Sequence, residues 1–204
     1  MTVHLHIGDL PDGLDLGPLV AVDSETLGLN PLRDRLCLVQ LSSGDGDAHL
    51  VQLKDGNFDA PNLKALMADE NVTKMFHFAR FDLAVIKHYL GVMPSPIYCT
   101  KISSKLVRTY TDRHGLKDLC KELISVDLSK QQQSSDWGAD TLTEAQQKYA
   151  ASDVLYLHQL KEVLDTMLER EGRTYLAEAT CKYLPVRAEL DLQGWANVDI
   201  FAHA

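Results

Sequence analysis

The sequence predicts an α/β fold in which a mixed central sheet is flanked by helices. Strand-like apolar runs crowd the first half of the 204-residue chain, and helical apolar spacings fill the second half. Strands first, then alternating elements, then helices are the order expected of a sheet covered by helices. Since no internal repeat or low-complexity linker divides the chain, we expect a single domain over residues 1–204.

Five segments of the first half have the composition of strands. The stretch SSGDGD at 42–47 is a turn signal between the third and fourth of them, and it predicts a hairpin. The predicted strands are Val3–Ile7, Leu19–Ser24, Leu36–Ser42, His49–Leu53 and Thr73–Phe78.

Start and stop signals predict the helices. Pro61 suits a first turn, and Gly91 suits the end of a helix over 81–90. Further helices are predicted over 100–109 and 115–124.

A longer helix is predicted after Thr143, which forms a capping-box pattern with Gln146. We expect this helix to continue along an apolar stripe and to end at Gly172, with one more helix reaching about Leu190. The stripe comprises Leu157, Leu160, Leu164, Met167 and Leu168.

The composition excludes some classes of protein. Twenty Lys and Arg against 29 Asp and Glu give a net charge of −9, which argues against holding long nucleic acid by phosphate neutralisation. It leaves a nuclease open, because divalent metals require carboxylates and supply positive charge themselves. Neither a secretory signal nor an apolar run of roughly 20 residues is present, so we expect a cytoplasmic protein without a membrane partner. The four cysteines form no CxxC pair, which argues against a zinc knuckle.

Acidic residues follow two of the predicted strands. Asp23 and Glu25 come directly after the run LVAV, and residues two apart on a strand point to the same side. Such a pair can bind a hard cation, although most acid-x-acid pairs lie on solvated surface. Asp82 opens a helix after another strand, where a carboxylate can also simply complement the helix dipole. Tyr149 and Asp153 are four residues apart and therefore share one helix face. The pair could belong to a metal site, or it could form a structural hydrogen bond.

In combination these residues resemble the DEDD exonuclease superfamily, in its tyrosine-bearing branch. Three motifs carry the match: DSET at 23–26, FARFD ending at Asp82, and YAASD at 149–153. The resemblance to ribonuclease D extends over about 20–168 and includes RHGLKDLCKELISVDLSKQQQSSDW. It implies a ribonuclease H-like fold. The catalytic residues that it implies are Asp23, Glu25, Asp82, Tyr149 and Asp153.

The chain also departs from ribonuclease D. The helical HRDC domains that follow its catalytic domain have no counterpart in this sequence, and His77-Phe78 stands where an asparagine is usual. The compact length, DSETLGLNPLRDRLCLVQ, YTDRHGLKDLC and the closing ELDLQGWANVDIFAHA are similar to the nano-RNase C group. That resemblance implies action on very short RNAs, notably dinucleotides, and assembly into ring-shaped octamers.

The implied chemistry is phosphodiester hydrolysis by two divalent metal ions, Mg²⁺ or Mn²⁺, which releases nucleoside 5′-monophosphates. The tighter metal is expected on Asp23, Glu25 and Asp153, with Asp23 bridging to the second. Asp82 would bind directly or through water, and Tyr149 would orient the attacking water.

Substrate contacts are less specific in the sequence. Leu29 lies six residues after Asp23, and oligoribonuclease has at the same spacing a leucine that separates two bases. Leu29 is therefore a candidate for the same role, and a plain apolar loop contact is the alternative. The other candidates are His77 and five possible phosphate contacts, each of which is singly more typical of a solvated surface cation. The five are Arg80, Arg108, Arg113, His114 and Lys130. In the segment 172–204, Trp195, Ile200 and Phe201 are typical of either a closing core contact or a homo-oligomer interface.

Other functions remain open at this point. The chain could be a ribonuclease D-like exonuclease on longer RNA or tRNA 3′ ends, or a single-stranded DNA exonuclease, since the motifs are shared. It could also be a degenerate nucleic-acid-binding scaffold, although all five expected catalytic positions are occupied.

Overall fold

The central sheet has six strands, in a computed structural model that describes residues 2–129, 131–132 and 134–203. The strands are β1 (Val3–Ile7), β2 (Leu19–Thr26), β3 (Leu36–Ser42), β4 (Ala48–Gln52), β5 (Thr73–Phe76) and β6 (Ile97–Cys99). Their spatial order is β1-β4-β3-β2-β5-β6. The pairs β1–β4, β2–β5 and β5–β6 are parallel, and β2–β3 and β3–β4 are antiparallel. The predicted mixed sheet and the predicted hairpin are therefore confirmed.

Seven helices and a turn over Asp191–Trp195, in which Gly194 has a non-helical φ of 104°, follow or alternate with the strands in the described residues. The helices are α1 (Pro61–Ala68), α2 (Ala79–Leu90), α3 (Thr100–Val107), α4 (Leu116–Ile124), α5 (Glu144–Leu155), α6 (Leu157–Arg170) and α7 (Thr174–Leu190). Gly91 ends α2 in the left-handed conformation, and Thr143 forms the predicted capping box with Gln146. None of these helices is long and apolar enough to cross a membrane.

Both faces of the sheet are covered, because strand side chains alternate between two apolar clusters. Val20 and Val22 of β2 belong to a cluster with side chains of α2 and α7, whereas Ala21 belongs to a second cluster with α5 and α6. All seven residues of β3 are buried, as expected for a strand in the middle of a covered sheet. The sheet therefore gives a rigid base for side chains at its edge.

Three element predictions need correction. The long helix predicted after Thr143 is two helices that meet at Tyr156, because α5 packs on the sheet whereas α6 packs on α3 and α4. The strand predicted to reach Phe78 ends at Phe76, since Phe78 has φ 73° and turns the chain into α2. Strand β6, of three residues, was not predicted because so short a run has no detectable alternation.

The Thr143 cap is expected to stabilise α5 measurably. Its hydroxyl accepts from the backbone N–H of Gln146, so Thr143→Ala should lower the free energy of unfolding by about 1 kcal/mol. Urea denaturation checks this. The matched control is Thr180→Ala, at an exposed threonine inside α7, which should change stability much less. Equal losses in the two variants would contradict a capping role.

Candidate active site

Strand β2 carries two carboxylates past the point where its neighbour ends. Its pairing with β5 stops at Ala21, whereas its pairing with β3 continues through Glu25. Asp23 and Glu25 therefore stand on the same face of a strand whose β5 side is open. A cleft begins at this edge, and both residues line it.

Asp82 reaches the same edge from the first turn of α2. It is buried, and its Oδ1 accepts a hydrogen bond of 2.6 Å from the Ser24 hydroxyl. Ser24 lies between the two β2 carboxylates in sequence, so its side chain leaves the other face of the strand. The serine consequently fixes Asp82 to the strand that carries Asp23 and Glu25.

Helix α5 supplies Tyr149 and Asp153, which lie one turn apart on one face. One carboxylate oxygen each of Asp23, Glu25 and Asp153 lie within 4.8 Å of one another. The Tyr149 ring packs beside Trp137, with ring centroids 6.0 Å apart. All five sequence-predicted catalytic residues are thus gathered at one end of the sheet.

The carboxylates strongly perturb one another. Burial, with Asp82, Asp153 and Glu25 nearby, raises the pKa of Asp23 well above its ordinary value. Burial, with Asp153 and Asp82 close by, raises the pKa of Glu25 to about 9. Burial also raises the pKa of Asp82 and of Asp153 to about 7. Four acids that lose hydration together require a cation to remain ionised near neutral pH.

The donor set fits a hard divalent cation. Every candidate ligand atom in the three-carboxylate group is an oxygen, as Mg²⁺ and Mn²⁺ prefer. The three oxygens lie within 4.8 Å of one another, which is close to the roughly 4.2 Å that two ligands on opposite sides of one ion span at oxygen–metal distances of about 2.1 Å. Asp82 adds a fourth carboxylate close to Asp23, so these residues fit the divalent metals that the motifs imply.

The cleft above the carboxylates has a volume of about 700 Å³. Its walls come from the loop after β2, the start of α4 and the segment before Trp137, so it is closed on several sides. Leu29 stands at its rim with 88% of its surface exposed. His77 lines the interior, with Nδ1 2.9 Å from the Thr100 hydroxyl. Burial, with Lys101 nearby, lowers the pKa of His77 to about 3, so this ring is neutral.

The structure does not bring two predicted phosphate contacts, Arg80 and Arg108, to the cleft. Arg80 forms an ion pair with Asp191 at 2.5 Å and also donates to the Ala196 carbonyl. Arg108 is completely buried and pairs with Glu122, whose side chain is exposed. Both guanidinium groups are therefore already occupied by protein partners.

The remaining predicted contacts lie elsewhere or outside the described residues. Arg113 is exposed, and its carbonyl accepts a hydrogen bond from Arg108. His114 Nδ1 lies 2.8 Å from the Ser104 hydroxyl. Neither residue lines the cleft, and Lys130 falls outside the described residues.

Sequence reasoning missed three cleft-lining residues, Lys101, Lys117 and Trp137. Lys101 Nζ also lies 4.3 Å from the centre of the Phe78 ring. Trp137 is buried, and its indole N–H has no hydrogen-bond partner among the described residues. The tryptophan at the end of the polar KQQQSSDW stretch could have indicated a substrate contact from the sequence alone. The two lysines could not, because the direction of a lone lysine on a helix depends on tertiary packing.

The chain can now be compared with known proteins. The 3′-5′ exonuclease family model matches residues 11–169. NrnC of Brucella melitensis with bound Mg²⁺ is 59% identical, with a TM-score of 0.96 and 100% of each chain covered. The same protein bound to pGG is 60% identical, with a TM-score of 0.97 and 100% of each chain covered.

Curated relatives extend beyond this chain. Ribonuclease D of Gluconacetobacter diazotrophicus is 35% identical over 156 residues, which are 76% of this chain and 39% of that protein. This chain thus spans about two fifths of the length of such relatives. On the family match and the fold shared with solved relatives, the chain belongs to the 3′-5′ exonuclease family and has its ribonuclease H-like fold.

Proposed function

We propose that this chain is a metal-dependent 3′-5′ exoribonuclease that hydrolyses very short RNAs, preferentially dinucleotides, to nucleoside 5′-monophosphates. The observation that carries the proposal is the group of Asp23, Glu25 and Asp153, whose oxygens lie within 4.8 Å at the base of the cleft. The similarity to NrnC structures with Mg²⁺ and with pGG supports the metal and the short substrate.

The proposal assigns metal binding to the four acids and positioning of the attacking water to Tyr149. Asp23, Glu25 and Asp153 would hold Mg²⁺ or Mn²⁺, and Asp82, fixed by Ser24, would complete a second position shared with Asp23. Two such ions supply Lewis-acid stabilisation of the attacked phosphate and of the leaving oxygen. Tyr149 would orient the attacking water by hydrogen bonding, since burial and the nearby Asp153 raise the pKa of its phenol and keep it protonated at neutral pH.

The cleft favours a short substrate over a long one. Among its described lining residues the cationic side chains are Lys101 and Lys117, and the net charge of the chain is −9. Long RNA requires many phosphate contacts for binding, and this surface offers few. The exposed Leu29 at the rim would separate two bases, and the unpaired Trp137 N–H would donate to the substrate. Ribonuclease D-like action on longer RNA is the alternative.

Relative rates on two lengths of RNA test the substrate preference. We expect a 5′-labelled diribonucleotide with Mn²⁺ to be cleaved faster than a matched seven-nucleotide RNA, because few phosphates can be held. Asp153→Asn should lower kcat by about 100-fold or more, since it removes a metal ligand. The control Glu144→Gln, at an exposed acid of the same helix, should retain activity.

The two alternatives give different results in that assay. Faster cleavage of the seven-nucleotide RNA would place the chain with ribonuclease D-like enzymes and retain the metal site. Preference for the deoxy form of the dinucleotide would indicate a DNA exonuclease. Full activity of the Asp153→Asn variant would contradict the proposed site itself.

Metal-free protein should lose stability as the pH rises. Because the folded state raises the pKa of Glu25 to about 9 and of Asp82 and Asp153 to about 7, it binds more protons than the unfolded state above pH 4.3 or so. In EDTA, we therefore expect the Tm to fall by several degrees between pH 6 and pH 9. Saturating Mg²⁺ should remove most of this decrease, as differential scanning fluorimetry can measure.

Substitution of one acid isolates the cause of that decrease. Glu25→Gln should make the metal-free protein more stable at pH 9 than the wild type, because one buried charge is removed. Glu144→Gln serves again as the exposed control and should follow the wild type. A Tm that depends on pH equally in all three proteins would refute the explanation.

We also propose that the segment 172–204 forms contacts in a homo-oligomer. Trp195, Ile200 and Phe201 are exposed near its end, and Phe201 is 76% exposed. Together with Leu29, Leu32 and Phe78, the turn after α7 borders an apolar groove of about 410 Å³. An exposed apolar surface of this kind is typical of an interface rather than of a monomer.

A charge placed on this surface should break the assembly. Phe201→Asp should lower the mass measured by light scattering, since an aspartate cannot be buried without a partner. The control Ile7→Asp puts the same change on β1, at the opposite edge of the sheet from α7. An unchanged mass in Phe201→Asp, or a monomeric wild type, would contradict the proposal.

A further inference from the structure

Three histidines lie together at the sheet edge formed by β1, far in the topology from the acidic cleft. His4 and His6 are two residues apart on β1, so both side chains leave the same face of the strand. His49 of the adjacent β4 pairs in register with His4. The chain therefore places three imidazoles on one face of two neighbouring strands.

Two of these rings are joined by a hydrogen bond. His6 Nε2 lies 3.0 Å from His49 Nδ1, and the ring planes differ by only 6° with centroids 5.3 Å apart. These values describe rings that meet edge to edge, with one N–H pointing at the lone pair of the other ring. Zinc bound by two imidazoles requires nitrogens about 3.3 Å apart, given Zn–N distances of about 2.0–2.1 Å and tetrahedral angles. The pair is thus close to the separation that a metal needs.

Two further side chains that can bind a metal, His4 and Asp47, are neighbours of the pair, and either would have to turn toward it to complete a site. The His4 ring is stacked on His49, with centroids 4.8 Å apart, and its Nε2 lies 3.6 Å from Asp47 Oδ2. The His4 side chain is 42% exposed, so rotation of this ring or of Asp47 toward the pair is unhindered by burial. Burial lowers the pKa of both His6 and His49, and neutral imidazole is the form that binds metals.

From this arrangement we propose that His6 and His49, completed by His4 or Asp47, form a second metal site for a borderline divalent ion such as Zn²⁺. Imidazole nitrogens select such ions, whereas the all-oxygen group in the cleft suits Mg²⁺ or Mn²⁺. On binding, the hydrogen between His6 and His49 moves to the other nitrogen of the ring that donated it, which leaves both facing lone pairs for the metal. The ion would fasten the edge strand β1 to β4, in addition to the hydrogen bonds that already pair the two strands.

Zinc titration in saturating Mg²⁺ tests the site. Isothermal titration calorimetry of the full chain should detect a zinc-binding event that disappears in His6→Gln and in His49→Gln. His88→Gln changes an exposed histidine of α2 and should bind as the wild type does. Zinc should raise the Tm of the wild type and of His88→Gln, and not that of the two site variants. Identical isotherms in all four proteins would overturn the proposal.

Two spectroscopic measurements keep the test independent of how well the variants fold. Cu²⁺ bound at this site should show nitrogen hyperfine coupling in its electron paramagnetic resonance spectrum, which the oxygen ligands of the cleft cannot produce. In the wild type, zinc should shift the ring-nitrogen resonances of His6 and His49 in nuclear magnetic resonance spectra. Absence of both signals would mean that the histidines form only a hydrogen-bonded pair, and the proposal would be wrong.

Discussion

Repulsion among buried and half-buried carboxylates is the constraint on which the catalytic end of the sheet depends. Three oxygens from Asp23, Glu25 and Asp153 are held within 4.8 Å, and Asp82 lies against the same strand through Ser24. In water, side chains with these charges would separate. Here the sheet fixes two of them, and α2 and α5 carry the others into place. Without a cation, bound protons relieve part of this repulsion, and the apolar packing that covers both faces of the sheet must offset the rest.

The order of the strands explains why this end of the sheet is available. Strand β5 pairs with β2 only as far as Ala21, and the left-handed residue Phe78 then turns the chain into α2. The early departure of β5 exposes the side of β2 at which Asp23 and Glu25 stand. The same turn brings Asp82 over the strand end, so a single backbone feature both opens the cleft and supplies one of its acids.

Local patterns predicted most of this fold, because its strands are apolar runs and its helices begin or end at clear signals. Gly91 and the pair Thr143 and Gln146 behave as their residue types require. The acids of the site were ambiguous one by one and were predicted by the resemblance of three motifs to the DEDD exonucleases, and the structure gathers them. The break at Tyr156 was not predictable from the local sequence, because it depends on α5 packing on the sheet and α6 packing on α3 and α4.

The cationic residues show where such reasoning ends. Arg108 was expected at the surface, yet it is buried beside Glu122, a partner fourteen residues away on another helix. An arginine can be buried when a carboxylate partner compensates its charge, and no local sequence pattern indicates such a pairing. Lys101 and Lys117 were overlooked for the converse reason: they resemble any surface lysine until α3 and α4 are placed around the cleft.

The apolar groove and the cleft are connected through two residues that line both, Leu29 and Phe81. On the opposite wall of the groove, Arg80 binds Asp191 and the Ala196 carbonyl, and so fixes the turn after α7 against α2. Arg80, which was predicted to contact a phosphate, instead anchors the segment proposed to contact another subunit. If that subunit covers the groove, it also contacts Leu29 on the side away from the carboxylates. Assembly would then immobilise the residue proposed to separate the bases, which links oligomer formation to the length of RNA that the cleft accepts.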